Sequence, residues 1–250
     1  KINFFKGDFR NRKLLNKALK GVSDVIILAG LVGDPITKKY KKLSENINNI
    51  EIKNLIKFLN KNKNLKKLIF ISTCSNYGIV KNKLADENTK LLPKSHYAVS
   101  KVNIEKYILN FKKKNFCPVI LRFSTAFGYS PRMRYDLVVN TLLIRALRDK
   151  KFSVFGGDQW RPFVHCKDVA RAFKLAIESD KKVTHKQIFN VGSDNMNFTI
   201  DQIGDKVSAK FPEAEYNTVD EDVDKRNYKV SFNKIITQLG FEKKYDIEMG

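Results

Sequence analysis

Cysteine, tryptophan and long apolar runs are all scarce in this chain of 250 residues, which has three cysteines and one tryptophan. Cys74, Cys117 and Cys166 show no metal-ligand spacing, so no metal site is predicted. We interpret them as free thiols in a reducing compartment, which predicts a cytoplasmic protein. No apolar run approaches the roughly 18 residues that a membrane-spanning helix needs, and the first residues do not resemble a signal peptide. We therefore expect no membrane partner.

Acidic residues are the minority charge, 26 against 48 lysines and arginines, which gives a net charge of +22. So strong a bias can serve nucleic-acid or anionic-surface binding. The basic residues are nevertheless spread along the chain, and the short clusters 38–42 and 112–114 lie where helix surfaces or ends are expected. The charge is interpreted as a solvated surface with no nucleic-acid partner, and it would help to attract an anionic, phosphate-bearing substrate.

A glycine-rich phosphate loop is also missing, since neither Gly-x-x-Gly-x-x-Gly nor Gly-x-Gly-x-x-Gly occurs. Apolar strand-like runs begin at Asp24, Leu65, Cys117 and Gln187, and helical patterns separate them. A long amphipathic helical pattern runs from Glu45 to Asn62. Strands that alternate with helices indicate an α/β fold with a parallel sheet and crossover connections.

Tyr97 and Lys101 lie four residues apart in the segment 95–101 (SHYAVSK). If the segment is helical, both side chains lie on one face, about one turn apart. A nearby ammonium favours the phenolate and lowers the pKa of the tyrosine, which makes it a possible general base near neutral pH. The pattern alone is weak, because an ordinary exposed helix face is the commoner explanation.

A hydroxyl residue strengthens the case. Thr73 lies 24 residues before Tyr97, at the end of the apolar run that begins at Leu68. The run is typical of a buried parallel strand, and open α/β sheets bind ligands at the carboxyl ends of such strands. Thr73 is therefore expected to lie where a ligand binds.

Taken together, these residues resemble the extended short-chain dehydrogenase/reductase family, and within it the UDP-glucose 4-epimerase-like nucleotide-sugar epimerases and dehydratases. The run 160–170 is similar to the family's R-x-x-V/I-H-x-x-D-V/L-A pattern. The resemblance implies a Rossmann-like doubly wound parallel sheet with a smaller C-terminal substrate-binding lobe. Residues 1–128 with 166–194 would form the dinucleotide-binding domain, and 129–165 with 195–250 the lobe.

The start of the chain matches the family's third strand and not its first. The turn 7–9 resembles the turn after that third strand, so the first strand, the glycine-rich loop and the second strand would precede it. We expect the sequence to be a fragment that lacks this segment; the alternative is a protein that has lost its pyrophosphate-binding loop. The resemblance implies NAD as cofactor, and NADP is not excluded because the segment that discriminates them is missing. The family's cofactor contacts fall on Asp8, Phe9, Leu28, Ala29, Gly30, Asn46, Ser72, Tyr97, Lys101, Phe123 and Ser124.

The implied substrate is a nucleotide-diphosphate sugar. A guanidinium suits bidentate phosphate contacts, which makes Arg161 the first candidate for the diphosphate and Arg226 the second. The family's substrate contacts fall on Thr73, Thr125, Asn140, Ser153, Phe155, Arg161 and Arg226.

Several of these positions have simpler structural interpretations. Asp8 can be a turn residue, Asn140 a helix-surface amide and Phe155 a core side chain. His165 is interpreted as a satisfied buried histidine and Asp168 as the cap of the helix that follows it.

The implied reaction is a transient oxidation of a sugar hydroxyl, in which Tyr97 takes the proton, Lys101 keeps the phenol acidic and Thr73 hydrogen-bonds the sugar oxygen. Related dehydratases place an Asp-Glu pair directly after the threonine, where this chain has Cys74 and Ser75. An epimerase is therefore expected. A dehydratase or a 4-keto-sugar reductase of the same family, or a non-catalytic dinucleotide-binding sensor, stays open.

A homodimer is also implied by the family. There the helices that match 45–62 and 97–114 pair with their copies in a second chain. The alternative is that both helices simply pack against the sheet.

Overall fold

The computed structural model describes residues 2–111, 116–219 and 226–250. The lysine cluster 112–114 and the predicted end of the Tyr97 helix at residue 114 lie outside the described residues. The chain divides into two compact units. Unit 1 comprises Lys1–Ser72, Ser95–Leu121 and Ala176–Ile188, and unit 2 comprises Thr73–Lys94, Arg122–Leu175 and Phe189–Gly250.

Strands and helices alternate along the chain, as the hydrophobic pattern predicts. The strands are β1 Asp24–Ile27, β2 Lys67–Thr73, β3 Ile79–Ala85, β4 Cys117–Phe123, β5 Thr125–Phe127, β6 Lys151–Phe155, β7 Trp160–His165, β8 Gln187–Val191, β9 Asn197–Thr199, β10 Glu215–Val219 and β11 Asn227–Val230. The helices are α1 Arg12–Ala18, α2 Asp34–Lys39, α3 Lys41–Glu45, α4 Ile52–Leu59, α5 His96–Asn110, α6 Val138–Asp149, α7 Cys166–Glu178, α8 Lys181–Thr184, α9 Ile200–Lys210 and α10 Asn233–Leu239.

The central sheet has the strand order β1-β2-β4-β8. Strands β1 and β2 run parallel, with Asp24 opposite Lys67 and Ile27 opposite Phe70. Every residue of β4 is buried, as expected for a strand of a parallel sheet with both faces covered. The predicted α/β fold with a parallel sheet is confirmed.

Unit 1 has its own apolar core, built from β1, β2, α4, α5 and part of β4. Helix α4 contributes one face, with Ile52, Leu55, Ile56 and Leu59 buried. Because these residues recur at helical spacing, burying that face removes a continuous apolar stripe from water.

The helix predicted from Glu45 to Asn62 is not a uniform α-helix. It consists of the end of α3, a π-helical segment Asn46–Glu51 and α4. A π segment changes the angular register of the side chains that it carries. Here Asn48 and Asn49 are buried, whereas Ile50 is half exposed.

Unit 2 contains three smaller sheets, with orders β10-β6, β11-β3 and β5-β7-β9. Its core is formed by side chains from β6, β7, α6 and α9. Thr199 caps α9 as part of a capping box with Gln202.

The interpretation of Asp168 as a helix cap is wrong. Helix α7 begins at Cys166, so Asp168 lies inside its first turn. The Asp168 carboxylate accepts the backbone N–H groups of Lys244 at 3.2 Å and Tyr245 at 3.1 Å, and it pairs with Arg171. Asp168 therefore holds the C-terminal segment on α7. The sequence does not predict this contact, because Lys244 and Tyr245 lie more than 70 residues after Asp168.

His165 is a buried structural residue. Its Nδ1 accepts the Lys167 N–H at 3.2 Å, and its ring packs on Phe127 and Tyr245. Burial, assisted by the charges of Lys167 and Arg171, lowers the pKa of His165 and so favours the neutral ring.

No helix in the described part of the chain is long and apolar enough to cross a membrane. The three cysteines are free thiols, two of them buried. The predicted boundaries of a dinucleotide-binding domain and a substrate lobe stay a prediction.

Candidate active site

Tyr97 and Lys101 lie on α5, close to its first turn. The Ser95 hydroxyl accepts the Ala98 N–H at 3.2 Å and caps the helix. Lys101 Nζ lies 5.6 Å from the centroid of the Tyr97 ring. The structure thus brings the predicted base and its predicted partner together, with the phenol half-buried and the ammonium buried.

The surroundings of Lys101 are mostly apolar. Its Nζ donates a hydrogen bond to the Ile71 carbonyl at 2.8 Å and lies 4.8 Å from the centre of the Phe70 ring. Burial lowers the pKa of Lys101 to about 8, and the negative charge of Glu105 opposes that shift. At neutral pH the Lys101 side chain is therefore mostly an ammonium. Because its pKa lies close to neutral pH, a nearby charge can change the fraction of this side chain that is protonated.

Sequence reasoning missed Glu105. The Ser72 hydroxyl donates a hydrogen bond to Glu105 Oε1, and both residues are buried. Glu105 follows Lys101 by four residues. A carboxylate at i+4 from the candidate lysine, on the same predicted helix, was the signal that could have identified it.

Ser72 was predicted as a cofactor contact, and its hydroxyl proton is donated to Glu105. Whether its oxygen also contacts a cofactor stays a prediction.

Thr73 ends β2 and belongs to unit 2. Its Oγ1 lies 2.7 Å from Ser75 Oγ and accepts the Ser75 N–H at 3.2 Å. Cys74 is buried, and its thiol donates to the Arg122 carbonyl at 3.2 Å. The two positions after Thr73 therefore carry a buried thiol and a serine that contacts Thr73.

The end of β1 is open and apolar. Leu28 is 66% exposed, and Gly30 has a φ of 150°. A Cβ on Gly30 would lie 2.9 Å from Asn48 Oδ1, so the position requires glycine on two grounds. The backbone at Gly30 is therefore not covered by a side chain of its own.

Asn48 is a second residue that the sequence did not reveal. Its Oδ1 accepts the Leu31 N–H at 2.7 Å, and its Nδ2 donates to the Leu31 carbonyl at 2.9 Å. The π-helical segment buries this amide and directs it at the backbone after β1. Asn46, the predicted cofactor contact, lies half-buried at the start of the same segment.

The turn at Asp8 and Phe9 supports the structural interpretation of Asp8. The Asp8 carboxylate pairs with Arg10 at 2.7 Å, and these hydrogen bonds lower the pKa of Asp8 to about 2. The Asp8 carbonyl also accepts the Asn11 N–H at 2.9 Å. Phe9 packs half-buried against the core of unit 1. A cofactor contact at Asp8 would have to share the carboxylate with Arg10.

Phe123, Ser124 and Thr125 follow one another in unit 2. Phe123 is buried edge-on against Phe173. The Ser124 hydroxyl donates to the Val191 carbonyl at 2.8 Å, so its proton is committed to the backbone. Thr125 opens β5 and is half-buried.

The two arginines predicted to bind the diphosphate are brought together. Arg161 Nη1 donates to the carbonyls of Arg226 and Trp160, the latter at 2.9 Å. Its Nη2 donates to Gln159 Oε1 at 2.9 Å. Arg161 is thus buried, and one of its hydrogen bonds holds the backbone of Arg226.

The simpler interpretations of two other candidates are wrong. Phe155 is 40% exposed and is not a core side chain. Asn140 is not a surface amide, because it is buried and donates to the Arg134 carbonyl at 3.1 Å. Ser153 is half-buried and donates to Asn217 Oδ1 at 2.6 Å on the paired strand β10. No group of three or more His, Cys, Asp or Glu side chains that could hold a metal ion occurs among the described residues.

Comparison with known proteins identifies a family model and curated relatives that agree with one another. The family model described as "NAD dependent epimerase/dehydratase family" matches residues 1–192. The UDP-glucose 4-epimerase of Lactobacillus helveticus is 27% identical over 213 residues, which cover 77% of this chain and 64% of that protein. The uncharacterized UDP-glucose epimerase YtcB of Bacillus subtilis is 36% identical over 115 residues, covering 45% of this chain and 35% of that protein.

Two solved structures with this fold are complexes with NAD and a nucleotide sugar. The UDP-glucuronic acid 4-epimerase of Bacillus cereus, in complex with UDP-glucuronic acid and NAD, has a TM-score of 0.84 at 26% identity, with 97% of this chain and 76% of that chain covered. MoeE5 in complex with UDP-glucuronic acid and NAD has a TM-score of 0.86 at 23% identity, with 98% and 81% covered. By sequence, the chain spans between about one third and two thirds of the length of the two curated relatives described above.

Proposed function

Because this chain belongs to the NAD-dependent epimerase/dehydratase family, we propose that it acts as an NAD-dependent epimerase of a nucleotide-diphosphate sugar. NAD is the cofactor of the family, as predicted. The observation that carries the proposal is the pair on α5, a half-buried phenol beside a buried ammonium whose pKa is about 8.

In this proposal Tyr97 accepts the proton of a sugar hydroxyl. The neighbouring Lys101 ammonium favours the phenolate over the phenol, since an opposite charge stabilises the ionised form. Thr73 hydrogen-bonds the sugar oxygen, and Ser75 orients the Thr73 hydroxyl through their 2.7 Å contact. Bound NAD⁺ would supply reversible hydride transfer at the sugar carbon, and inversion requires that the hydride return to the opposite face of that carbon. The protein's contribution is to orient the sugar and to tune the proton transfer.

The residues of unit 1 fit a bound dinucleotide. Leu28 and the backbone at Gly30 offer an open apolar edge, and Lys101 has two ammonium protons that its bond to Ile71 does not use. Asn48 keeps the backbone after β1 in place. NAD in preference to NADP for this chain stays part of the proposal.

Epimerisation is preferred to dehydration because of Cys74 and Ser75. Elimination of water needs a general acid and a general base near the sugar. Cys74 is buried with its thiol bonded to a carbonyl, and Ser75 is a hydroxyl and not a carboxylic acid. A 4-keto-sugar reductase would use the same Tyr97 and Lys101 and is the second candidate.

Arg161 and Arg226 are proposed to bind the diphosphate. The burial of Arg161 and its bond to the Arg226 carbonyl support a fixed basic site. Pairing of the helical segment 41–59 and of α5 with a second copy remains a proposal, supported by the exposure of Leu43, Ile50 and Val99. A cytoplasmic location also stays a prediction.

Replacement of Tyr97 by phenylalanine tests the proposal. Tyr97→Phe in the full-length protein should reduce turnover by at least about a hundredfold, because it removes the proton acceptor. NAD binding, measured by calorimetry, should change little. Tyr107→Phe on the same helix is the matched control and should retain turnover. Full activity of Tyr97→Phe would contradict the proposal.

A further inference from the structure

A buried carboxylate lies beside the catalytic pair, and the mechanism above does not use it. Glu105 is 2% exposed and follows Lys101 by one helical turn on α5. Burying an ionised carboxylate costs free energy unless it is hydrogen-bonded or paired with a charge. An apolar residue would fill this position at lower cost, so the carboxylate requires a physical reason.

Two successive residues of β2 connect Glu105 and Lys101. The Lys101 ammonium donates to the Ile71 carbonyl at 2.8 Å, and the Ser72 hydroxyl donates to Glu105 Oε1. One hydrogen bond thus runs from helix to strand and the other from strand to helix. Together they fix the rotation of α5 against the end of β2.

Glu105 and Lys101 are neighbours on one face of α5, because they lie four residues apart on the helix, and both are buried. Within the described part of the chain, the groups that face Lys101 from β2 are the Phe70 ring and the Ile71 carbonyl, neither of which titrates. From its own helix it meets the Tyr97 ring and the field of Glu105. Desolvation favours the neutral amine, and Glu105 is the group that opposes it.

We propose that Glu105 is a positioning residue whose carboxylate keeps the buried Lys101 ammonium charged and, through Ser72, holds the end of β2 against α5. Glu105 acts through Lys101 and not on the substrate. The inference rests on the proposed function in one respect: the charged Lys101 ammonium is assigned the role of stabilising the Tyr97 phenolate. The electrostatic coupling can be measured without turnover.

Titration of individual lysines tests the coupling. Protein labelled with ¹³C at the lysine ε-carbon is followed by NMR as the pH rises, and the Lys101 signal is assigned by its loss in Lys101→Met. In Glu105→Gln the amide can still accept the Ser72 hydrogen bond, but the charge is gone. We expect the Lys101 midpoint to fall from near 8 by about one pH unit or more, a tenfold loss of proton affinity.

Lys67 provides an internal control. It is also buried with a lowered pKa, but Glu105 is not among the causes of that shift. Its midpoint should stay unchanged in Glu105→Gln, which also reports that the variant is folded. An unchanged Lys101 midpoint beside an unchanged Lys67 midpoint would overturn the proposal.

A second pair of variants separates charge from hydrogen bond. Glu105→Asp keeps the charge, and Ser72→Ala keeps the carboxylate, so both should move the Lys101 midpoint less than Glu105→Gln does. A fall of one pH unit or more in the Lys101 midpoint of Glu105→Asp would overturn the assignment of the effect to the charge. If Glu105→Gln does not fold, Glu105→Asp provides this test in its place.

Turnover gives a separate readout. The activity of Glu105→Gln relative to wild type should rise as the pH is lowered, because Lys101 regains its proton. A ratio that is independent of pH would indicate a merely structural role for Glu105. If Tyr97→Phe retained turnover while the lysine midpoints shifted as expected, the proposed function would fail and the coupling would stand.

Discussion

Lys67 and Lys101 are two lysines of unit 1 whose buried ammonium groups are stabilised in different ways. Lys67 Nζ donates to three carbonyls, those of Ala176 at 2.9 Å, Ile177 at 2.6 Å and Ser179. Lys101 donates to one carbonyl and lies against two aromatic rings. Burial lowers the pKa of both.

The difference separates a structural lysine from a candidate catalytic one. Three carbonyls use all three protons of the Lys67 ammonium, which stabilises the chain at the end of α7. Among the described residues Lys101 donates to a single carbonyl, and the proposed function assigns its other two protons to the phenol and to a ligand. We propose that the charge of Glu105 substitutes for further carbonyls. A buried ammonium that is only partly satisfied costs stability, as is common at functional sites.

Replacing Lys101 should have the largest effect on chemistry. Lys101→Met should lower kcat by at least about a hundredfold, because the phenolate loses its counter-charge, while the free energy of unfolding stays equal or rises. Steady-state kinetics and denaturant unfolding measure the two quantities. Lys106→Met, at an exposed position of the same helix, is the matched control. Unchanged kcat would remove Lys101 from the site.

The equivalent change at Lys67 should act on stability. Lys67→Met leaves three backbone carbonyls without their donor, which should lower the free energy of unfolding by about 2–4 kcal/mol. Turnover per folded molecule should be retained. Lys66→Met, at the exposed neighbouring position, should leave stability nearly unchanged. A loss of turnover without a loss of stability would break the distinction between the two lysines.

The third expected effect is on the pH dependence of stability, and per pH unit it is the smallest of the three. The folded-state pKa of Lys101 is about 8, below the ordinary lysine value of 10.5, so above about pH 8 the unfolded chain binds more protons than the folded one. Stability should therefore rise with pH between these values, at most by about 1.4 kcal/mol per unit. Denaturant unfolding at several pH values should show a shallower rise in Lys101→Met than in wild type. Equal slopes would contradict the lowered pKa.

Much of the fold and part of the site could be predicted from the sequence. The order of apolar and helical segments predicted the parallel α/β sheet, and the spacing of Tyr97 and Lys101 predicted a shared helix face. Arg161 and Arg226 were predicted separately, and the structure joins them. These features depend on local periodicity or on short motifs, which a single sequence contains.

What escaped prediction depends on contacts between distant residues. Glu105 was missed because its partner Ser72 lies on a different element of the chain. Asn48 was missed because it binds the backbone of Leu31, 17 positions earlier in the chain. The π-helical segment that buries Asn48 has no sequence pattern of its own. Asp168 looked like a cap because its partners lie at the far end of the chain.

Turnover of nucleotide sugars tests the proposed reaction directly. The full-length protein is incubated with NAD⁺ and a panel of UDP-, dTDP-, GDP- and CDP-sugars, while product NMR and the absorbance of reduced nicotinamide are followed. An epimerase should give a sugar inverted at one carbon with no net reduction of NAD⁺. Net oxidation of the sugar, or loss of water from it, would contradict the proposed epimerase and move the protein to another reaction of the same family.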